Sequence, residues 1–590
     1  MKINKQQLID TLKTTITHVQ GKIDMELEKV KEMSNKPLKE IKAMRPEDQL
    51  VYGNLQAYSI NRLAELHHLH SSPFFIKLVL KMSKTGEEKT LYFAKHHFTD
   101  EQIYSWVAPI AAVRFEKPGP VEYRLPDGTT EHATLNNKEQ YLIVDGKIVF
   151  FATESTENPR ELIYQEHFSS KKDGFILPEI VAVMEKAQDK VIRAHHSGPF
   201  VISGPAGSGK TTLALHRVAY LVQAPDTASL YPGESIIVFV QDNGTKDYFS
   251  HLLPELGINN VHITTFFEWA TTILGVPNAR HVDRRGVDKN DKNTKEFERL
   301  QQLKLKNVPT WAETKKLLKT YSETGLDRID LTLALASYFN QHKKFEIKTK
   351  YTTVDKKGEL VQKTRKKLLE YSLLVIDEFQ NYMPEQLSLL HQCIDEKTRS
   401  IIYVGDMAQQ VLSGTLRSWD SVGARLDPER EVRLHKVYRN TREILEYIEK
   451  LGYPVEIPEG IKSGPAVTEI TLATEDAVRY IQDRIISTKG TVGIIGKNTE
   501  DIAPFKEIFA TDKQVHVTTM AHSQGVEFDI VCLVGITKEM SSTEHLSTFP
   551  ADFIDEKKKI QKDLLYVALT RAISELHIIG TSKLSDIVSK

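Results

Sequence analysis

The sequence predicts an α/β fold. Two halves of apolar strands alternating with helices follow an N-terminal helical hairpin and a small β-rich module, and the first half carries a charged helical insertion. Three observations predict it. Residues 200–202 are an apolar run, a glycine-rich turn follows at 204–209, and 213–222 reads as a helix. Strand-like runs at 236–240, 261–266, 373–376 and 400–404 continue the first half, and a second series occupies 432–580. Near the start, Leu12, Ile16, Val19, Ile23, Leu27 and Val30 recur at three- and four-residue steps, a near-heptad seam.

In order, the hairpin occupies 1–70, with a second helical pattern at 50–69 after the interruptions at Pro37 and Pro46. Packing on the body and reaching out to a partner are both open readings of it. The β-rich module spans 71–170, where runs at 74–80, 91–94 and 141–144 are separated by turns such as Asp145 and Gly146. His67, His68, His70, His96, His97, His195 and His196 lack regular ligand spacing and companion carboxylates, so no metal site is expected there. The first α/β half occupies 171–282 and 368–430, split by the mostly helical insertion 283–367, and the second half occupies 431–590. The insertion ends in a basic run from Lys343 to Lys367, read either as a solvated face or as a contact for phosphate backbones.

Gly204, Pro205, Ala206, Gly207, Ser208, Gly209, Lys210, Thr211 and Thr212 fit G-x-x-x-x-G-K-[ST] between a strand and a helix. Glycines let such a loop curl so that backbone N–H groups face inward around phosphate oxygens, and the helix N-terminus adds partial positive charge. Lys210 then lies against the β- and γ-phosphates and the Thr211 hydroxyl binds Mg²⁺, which predicts ATP and Mg²⁺ as cofactors. Asp377 and Glu378 end an apolar strand at the same sheet edge. Asp377 suits Mg²⁺, and Glu378 suits polarising the attacking water. Gln409 follows the next strand as a γ-phosphate sensor, and Arg439 and Arg571 supply charge from the second half.

Length and composition bound the rest. The chain has 590 residues, room for about four domains, and 40% apolar residues to fill their cores. A formal net charge of -1 provides no global field for nucleic acid or membrane, so any basic surface is local. With only Cys393 and Cys532, a polar start and no run near the ~20 apolar residues of a membrane helix, a cytosolic protein with no membrane partner is expected.

The motifs at 204–211, 375–380, 404–409, 437–439, 519–528 and 566–572 stand in the order of the UvrD/Rep-type superfamily 1 helicases, which the chain resembles throughout this core. The resemblance implies two RecA-like P-loop domains. It also implies that Gln188 reads the adenine edge, Tyr438 stacks on the base, Gly525 and Glu527 line the nucleotide with Glu527 at the ribose, and Arg439 and Arg571 act on the γ-phosphate. Outside the core, Ser72 to Phe75, Tyr104 to Ile110, Leu253 to Gly257 and Ser418 to Asp420 are similar to the HelD branch, bacterial ATPases that bind RNA polymerase and clear it from nucleic acid. The chain departs from UvrD in having Gln241, Asp242, Asn243 and Gly244 where that family has Thr-Asn-Lys. It lacks the aromatic-Arg-Gly stretch after the third motif, and it leaves only about 80 residues between Arg439 and Thr519 for an accessory domain. Its N-terminal arm and middle insertion are also shorter than in typical HelD proteins. The resemblance implies an ATP-dependent nucleic-acid motor, DNA being the expected strand, with RNA polymerase core as a partner, and the departures predict weak strand separation. The alternatives are a 3'-5' DNA helicase or translocase of repair or phage defence, and an ATP-switched binding protein that does not translocate.

Overall fold

A computed structural model describes residues 5–34, 46–125, 129–155, 186–258, 260–282, 289–304, 308–354, 360–422, 426, 428–435, 437, 439–457, 461–486, 490–512 and 514–588. The chain divides into two compact units. One contains Met1–Arg193, His216–Ser229 and Leu252–Asn259, and the other contains Ala194–Leu215, Leu230–His251 and Asn260–Lys590.

In the first unit, helices Lys5–Ser34 and Pro46–Ser71 form the expected hairpin. All six seam residues, Leu12 to Val30, are buried. They close on Leu66 and Leu69 of the second helix and also on Phe74, Phe98, Ile103, Tyr141 and Ile143 of the β-rich module. Of the two readings of the seam, packing on the body is the one observed. The module is a six-stranded sheet of β1 (Ile76–Met82), β2 (Glu88–Ala94), β3 (Ile103–Ser105), β4 (Gly119–Arg124), β5 (Thr130–Val144) and β6 (Lys147–Ser155), ordered β3-β2-β1-β5-β4 with β6 also on β5. Arg193 fastens the turn after β3. It donates to the carbonyls of Trp106 at 2.7 Å, Val107 at 3.2 Å and Ala108 at 3.3 Å. The stretch Tyr104 to Ile110 therefore has a structural job inside this unit.

In the second unit, β7 (Pro199–Ser203), β8 (Ile236–Val240) and β9 (His262–Thr265) begin a sheet. The ribbon β10 (Glu346–Val354) and β11 (Leu360–Leu368) follows, and β12 (Leu373–Asp377), β13 (Ser400–Gly405) and β14 (Glu431–Arg433) complete the sheet. Its order is β14-β7-β13-β12-β8-β9 and every pairing is parallel. Strands β8, β12 and β13 are buried throughout, as expected of a parallel sheet covered on both faces. Leaving β7, the chain goes first to one side and at last to the other, so the carboxyl edge at β7 is the switch point where such sheets bind ligands.

Two expectations need correction here. The apolar pattern at 432–438 reads as a strand opening the second half, but Glu431–Arg433 pairs with Val201, Ile202 and Ser203 as the edge of the first sheet. Among the described residues, the insertion is helical at Lys289–Lys304, Trp311–Thr324 and Arg328–His342, and the departure lies at its C-terminal end. Its basic end is the antiparallel ribbon, where Thr349, Tyr351 and Thr364 favour a strand over a helix.

The second sheet consists of β15 (Thr468–Thr471), β16 (Val492–Gly496), β17 (Val515–Thr519), β18 (Phe528–Ile536) and β19 (Ala572–Gly580), all parallel and ordered β15-β19-β18-β16-β17. No described helix is long and apolar enough to cross a membrane.

Candidate active site

The glycine-rich loop leaves β7 and enters helix Lys210–Gln223 at Lys210. Two of its glycines, Gly204 and Gly207, are required by both conformation and space. Gly204 has φ 149°, and a Cβ there would stand 2.4 Å from the Leu434 carbonyl oxygen. Gly207 has φ 74°, with the Arg439 Cβ 3.1 Å from where its own would be, so residue 439 lies beside the loop. The Ser208 hydroxyl and the buried Lys210 ammonium both donate to the Pro205 carbonyl, at 2.8 and 3.0 Å. Lys210 therefore lies folded along the inside of its own loop.

The Thr211 hydroxyl donates to Asp377 Oδ1 at 3.1 Å, which brings the first turn of the helix against the end of β12. Asp377 is buried. Desolvation and the neighbouring Glu378 charge push its carboxyl up to about 7, against the pull of Thr211 and Lys210. The hydroxyl and carboxylate that the sequence singles out for Mg²⁺ thus stand side by side, and this oxygen donor set fits that ion. A raised acid stabilises the fold fully below its unfolded value of 3.8, and that contribution is lost as pH rises through about 7. The melting temperature of the chain without added nucleotide should therefore fall more steeply between pH 5 and 8 than that of Asp377→Asn. Parallel slopes in a thermal-melt series would refute the shift.

Glu378 has φ 50°, a left-handed conformation that is strained for a residue with a side chain and common at functional sites. Gln380 Nε2 donates to Glu378 Oε2 at 2.6 Å, and Gln524 Nε2 reaches the same oxygen at 3.4 Å from the second half. Gln524 also donates to the Gln409 carbonyl at 3.3 Å and accepts from Asn381 Nδ2 at 2.8 Å. One side chain after β17 therefore touches the loops that follow both β12 and β13. The Gln409 amide is buried and donates to Asp406 Oδ2 at 2.8 Å.

The Arg571 guanidinium is buried. It donates to the carbonyls of Val567 at 2.9 Å and Val526 at 3.2 Å and to the Thr570 hydroxyl at 3.2 Å. Burial lowers its pKa, while the charges of Glu527 and Glu378 pull it back up. Arg439 Nη1 donates to Glu527 Oε1. Gly525 is exposed with φ 83°. Gln188, on helix Lys186–Ile192, clusters with the first unit, whereas the loop clusters with the second. Tyr438 lies outside the described residues.

Sequence reasoning gives no role to Gln380, Asn381, Asp406 or Gln524. Gln380, Asp406 and Gln524 stand inside stretches that carry the family resemblance, and that is the available signal. Their work is hydrogen bonding between segments, which residue type alone does not disclose. Asp563 is missed too. It accepts from the Gln410 N–H at 3.0 Å and pairs with Lys559, while burial pushes its carboxyl up to about 6.

A family model described as an AAA domain matches residues 188–415, and one described as a viral superfamily 1 RNA helicase core domain matches residues 316–580. No curated protein matches the chain. Among solved structures, the chain is similar to the C-terminal domain of a possible DNA helicase from Lactobacillus plantarum WCFS1, with 18% identity, TM-score 0.20, and coverage of 26% of this chain and 92% of that one. It is also similar to Arterivirus nonstructural protein 10 (helicase) in complex with DNA, with 15% identity, TM-score 0.28, and coverage of 68% and 65%. A crystal structure of Arterivirus nonstructural protein 10 (helicase) matches at 12% identity and TM-score 0.27 over 89% and 81%. Together the two family models span both parallel sheets, and the chain carries superfamily 1 helicase-like domains.

Proposed function

We propose that this chain is an ATP-driven nucleic-acid motor that hydrolyses ATP at the loop between β7 and helix Lys210–Gln223. The observation that carries the reading is Gln524, which ties the Glu378 carboxylate to an element of the second sheet. A motor needs its hydrolytic group to sense movement between two halves, and this hydrogen bond forms and breaks with that movement. The loop N–H groups, Lys210 and the helix N-terminus hold the phosphates. Thr211 and Asp377 hold Mg²⁺, which when bound offsets phosphate charge. Among the described residues, both side-chain donors to Glu378 use Oε2, which leaves Oε1 to take the proton of the attacking water. Arg439 is drawn from Glu527 toward the phosphates as charge develops there, and Arg571, buried among carbonyls, adds a fixed positive charge.

Release of RNA polymerase from nucleic acid is the finer reading that the HelD-like stretches suggest. The Arg193-fastened turn makes one of these stretches, Tyr104 to Ile110, part of a folded unit, so nucleic acid is the better-supported partner. The test measures ATP turnover with and without single-stranded nucleic acid. The chain should be stimulated, and Gln524→Ala should still bind nucleotide but lose most of the stimulation. A wild-type rate indifferent to nucleic acid, together with capture of core RNA polymerase by Glu378→Gln, would replace the motor with the polymerase reading.

A further inference from the structure

We propose that the β10–β11 ribbon is a grip for single-stranded nucleic acid, formed by the face that carries Tyr351, Lys363, Arg365 and Lys367. The inference deepens the motor reading and rests on it for the class of partner. The surface itself is separate from the active site.

Every residue of 362–368 is exposed. Neighbours along a strand point to opposite faces, so both faces of the ribbon meet solvent there. The register pairs Ile347 with Lys367, Thr349 with Arg365 and Tyr351 with Lys363, which puts three cations in one row about 7 Å apart. None of these six residues is acidic. The other face differs. Glu346 pairs there with Lys344 at 2.7 Å and Lys366 at 3.3 Å, and Lys348 stands directly opposite Lys366.

Tyr351 is 38% exposed, with the Arg365 guanidinium 5.4 Å from its ring centre. A basic row beside an aromatic ring is the combination that holds single strands. Cations take phosphates, and the ring takes the face of a base that a duplex would keep stacked. An acidic protein would pair with the cations and gain nothing from the ring beyond its contact with Arg365.

The base of the ribbon is firm. The Leu369 N–H donates to the Phe345 carbonyl at 2.9 Å, and the buried Phe345 ring lies 5.4 Å from Trp269 and stacks on Tyr338 at 5.9 Å. From Leu369 the chain runs directly into β12, which ends at Asp377. Force on a bound strand therefore bears on the strand that carries the site carboxylates.

The test is fluorescence anisotropy of labelled oligo(dT) and oligo(U), titrated between about 50 and 200 mM KCl. The triple variant Lys363→Ala, Arg365→Ala, Lys367→Ala should bind both at least about 10-fold more weakly. The slope of log affinity against log salt should flatten by about 2, at roughly 0.7 for each phosphate of a single strand that is no longer neutralised. The opposite-face triple Lys348→Ala, Lys350→Ala, Lys366→Ala removes equal charge and should weaken binding far less. Tyr351→Ala should weaken single-strand binding by about 5- to 100-fold with the slope unchanged, and leave duplex binding alone. Thermal melting of each variant checks that the fold is kept. A front triple that binds like wild type, or two triples that weaken binding equally, would overturn the grip and leave the motor reading standing. A wild-type chain that binds neither oligonucleotide would overturn both.

Discussion

Glu378→Gln should bind ATP as the unaltered chain does and hydrolyse it slower by about 10²-fold or more, the scale of a missing general base. The substitution keeps the size and polar character of the side chain. Its amide can still meet Gln380 or Gln524, and no packing is disturbed, because the loop after β12 is held independently by the Gln380 side-chain oxygen, which accepts from the Asp406 N–H at 3.0 Å. What disappears is a carboxylate that accepts a proton. Removing its charge also relieves Asp377, whose carboxyl is raised partly by Glu378, so binding of Mg²⁺-nucleotide should not weaken. Lys210→Ala should fail in the opposite way. Its ammonium already lies inside the loop, 3.0 Å from the Pro205 carbonyl, and its removal takes the charge from the phosphate position. Affinity should fall first, and turnover should recover in part at high ATP. Nucleotide titration with steady-state turnover on both variants separates the two roles. Normal turnover by Glu378→Gln would remove it from the chemistry.

The parts legible in the sequence are those whose chemistry is local. A glycine-rich loop with Lys210 and Thr211 must curl in the same way wherever a strand precedes it and a helix follows, so residue spacing alone locates it. Asp377 and Glu378 follow because four apolar residues fix where a buried strand ends. The left-handed backbone at Glu378 is invisible in the sequence, since it comes from the turn into Phe379 and not from residue type. Gln524 is invisible as a connector because its partners stand more than a hundred residues away in sequence. At the other scale, three-residue β14 and four-residue β15 are too short to show a period, and both find their places through pairing with longer neighbours. The basic ribbon misleads in a different way. Its charges alternate with Thr and Tyr, a strand pattern that the run of lysines obscures.

Removing residues 1–46 should unfold the first unit. From sequence the seam is compatible with a dispensable arm, provided that it pairs with the second helix alone. It does not. Leu12, Ile16, Val19, Ile23, Leu27 and Val30 also cover Phe74, Phe98, Ile103, Tyr141 and Ile143 of the β-rich module. At roughly 1.5–3 kcal/mol for each buried aliphatic side chain, the six contribute on the order of 10 kcal/mol, as much as a whole domain commonly has in net stability. The deletion would also expose one face of the sheet module. A smaller change probes the same seam. Ile23 is fully buried, so Ile23→Ala should cost about 2–5 kcal/mol, while Met25→Ala on the exposed side of the same helix should cost little. Limited proteolysis should cut the truncated chain within 76–155 while β7 to β9 and β12 to β19 stay protected. Thermal melting of Ile23→Ala should show an earlier transition that Met25→Ala lacks. If the truncated chain melts like the full one, the hairpin is an arm after all, and its seam is kept for something other than this core.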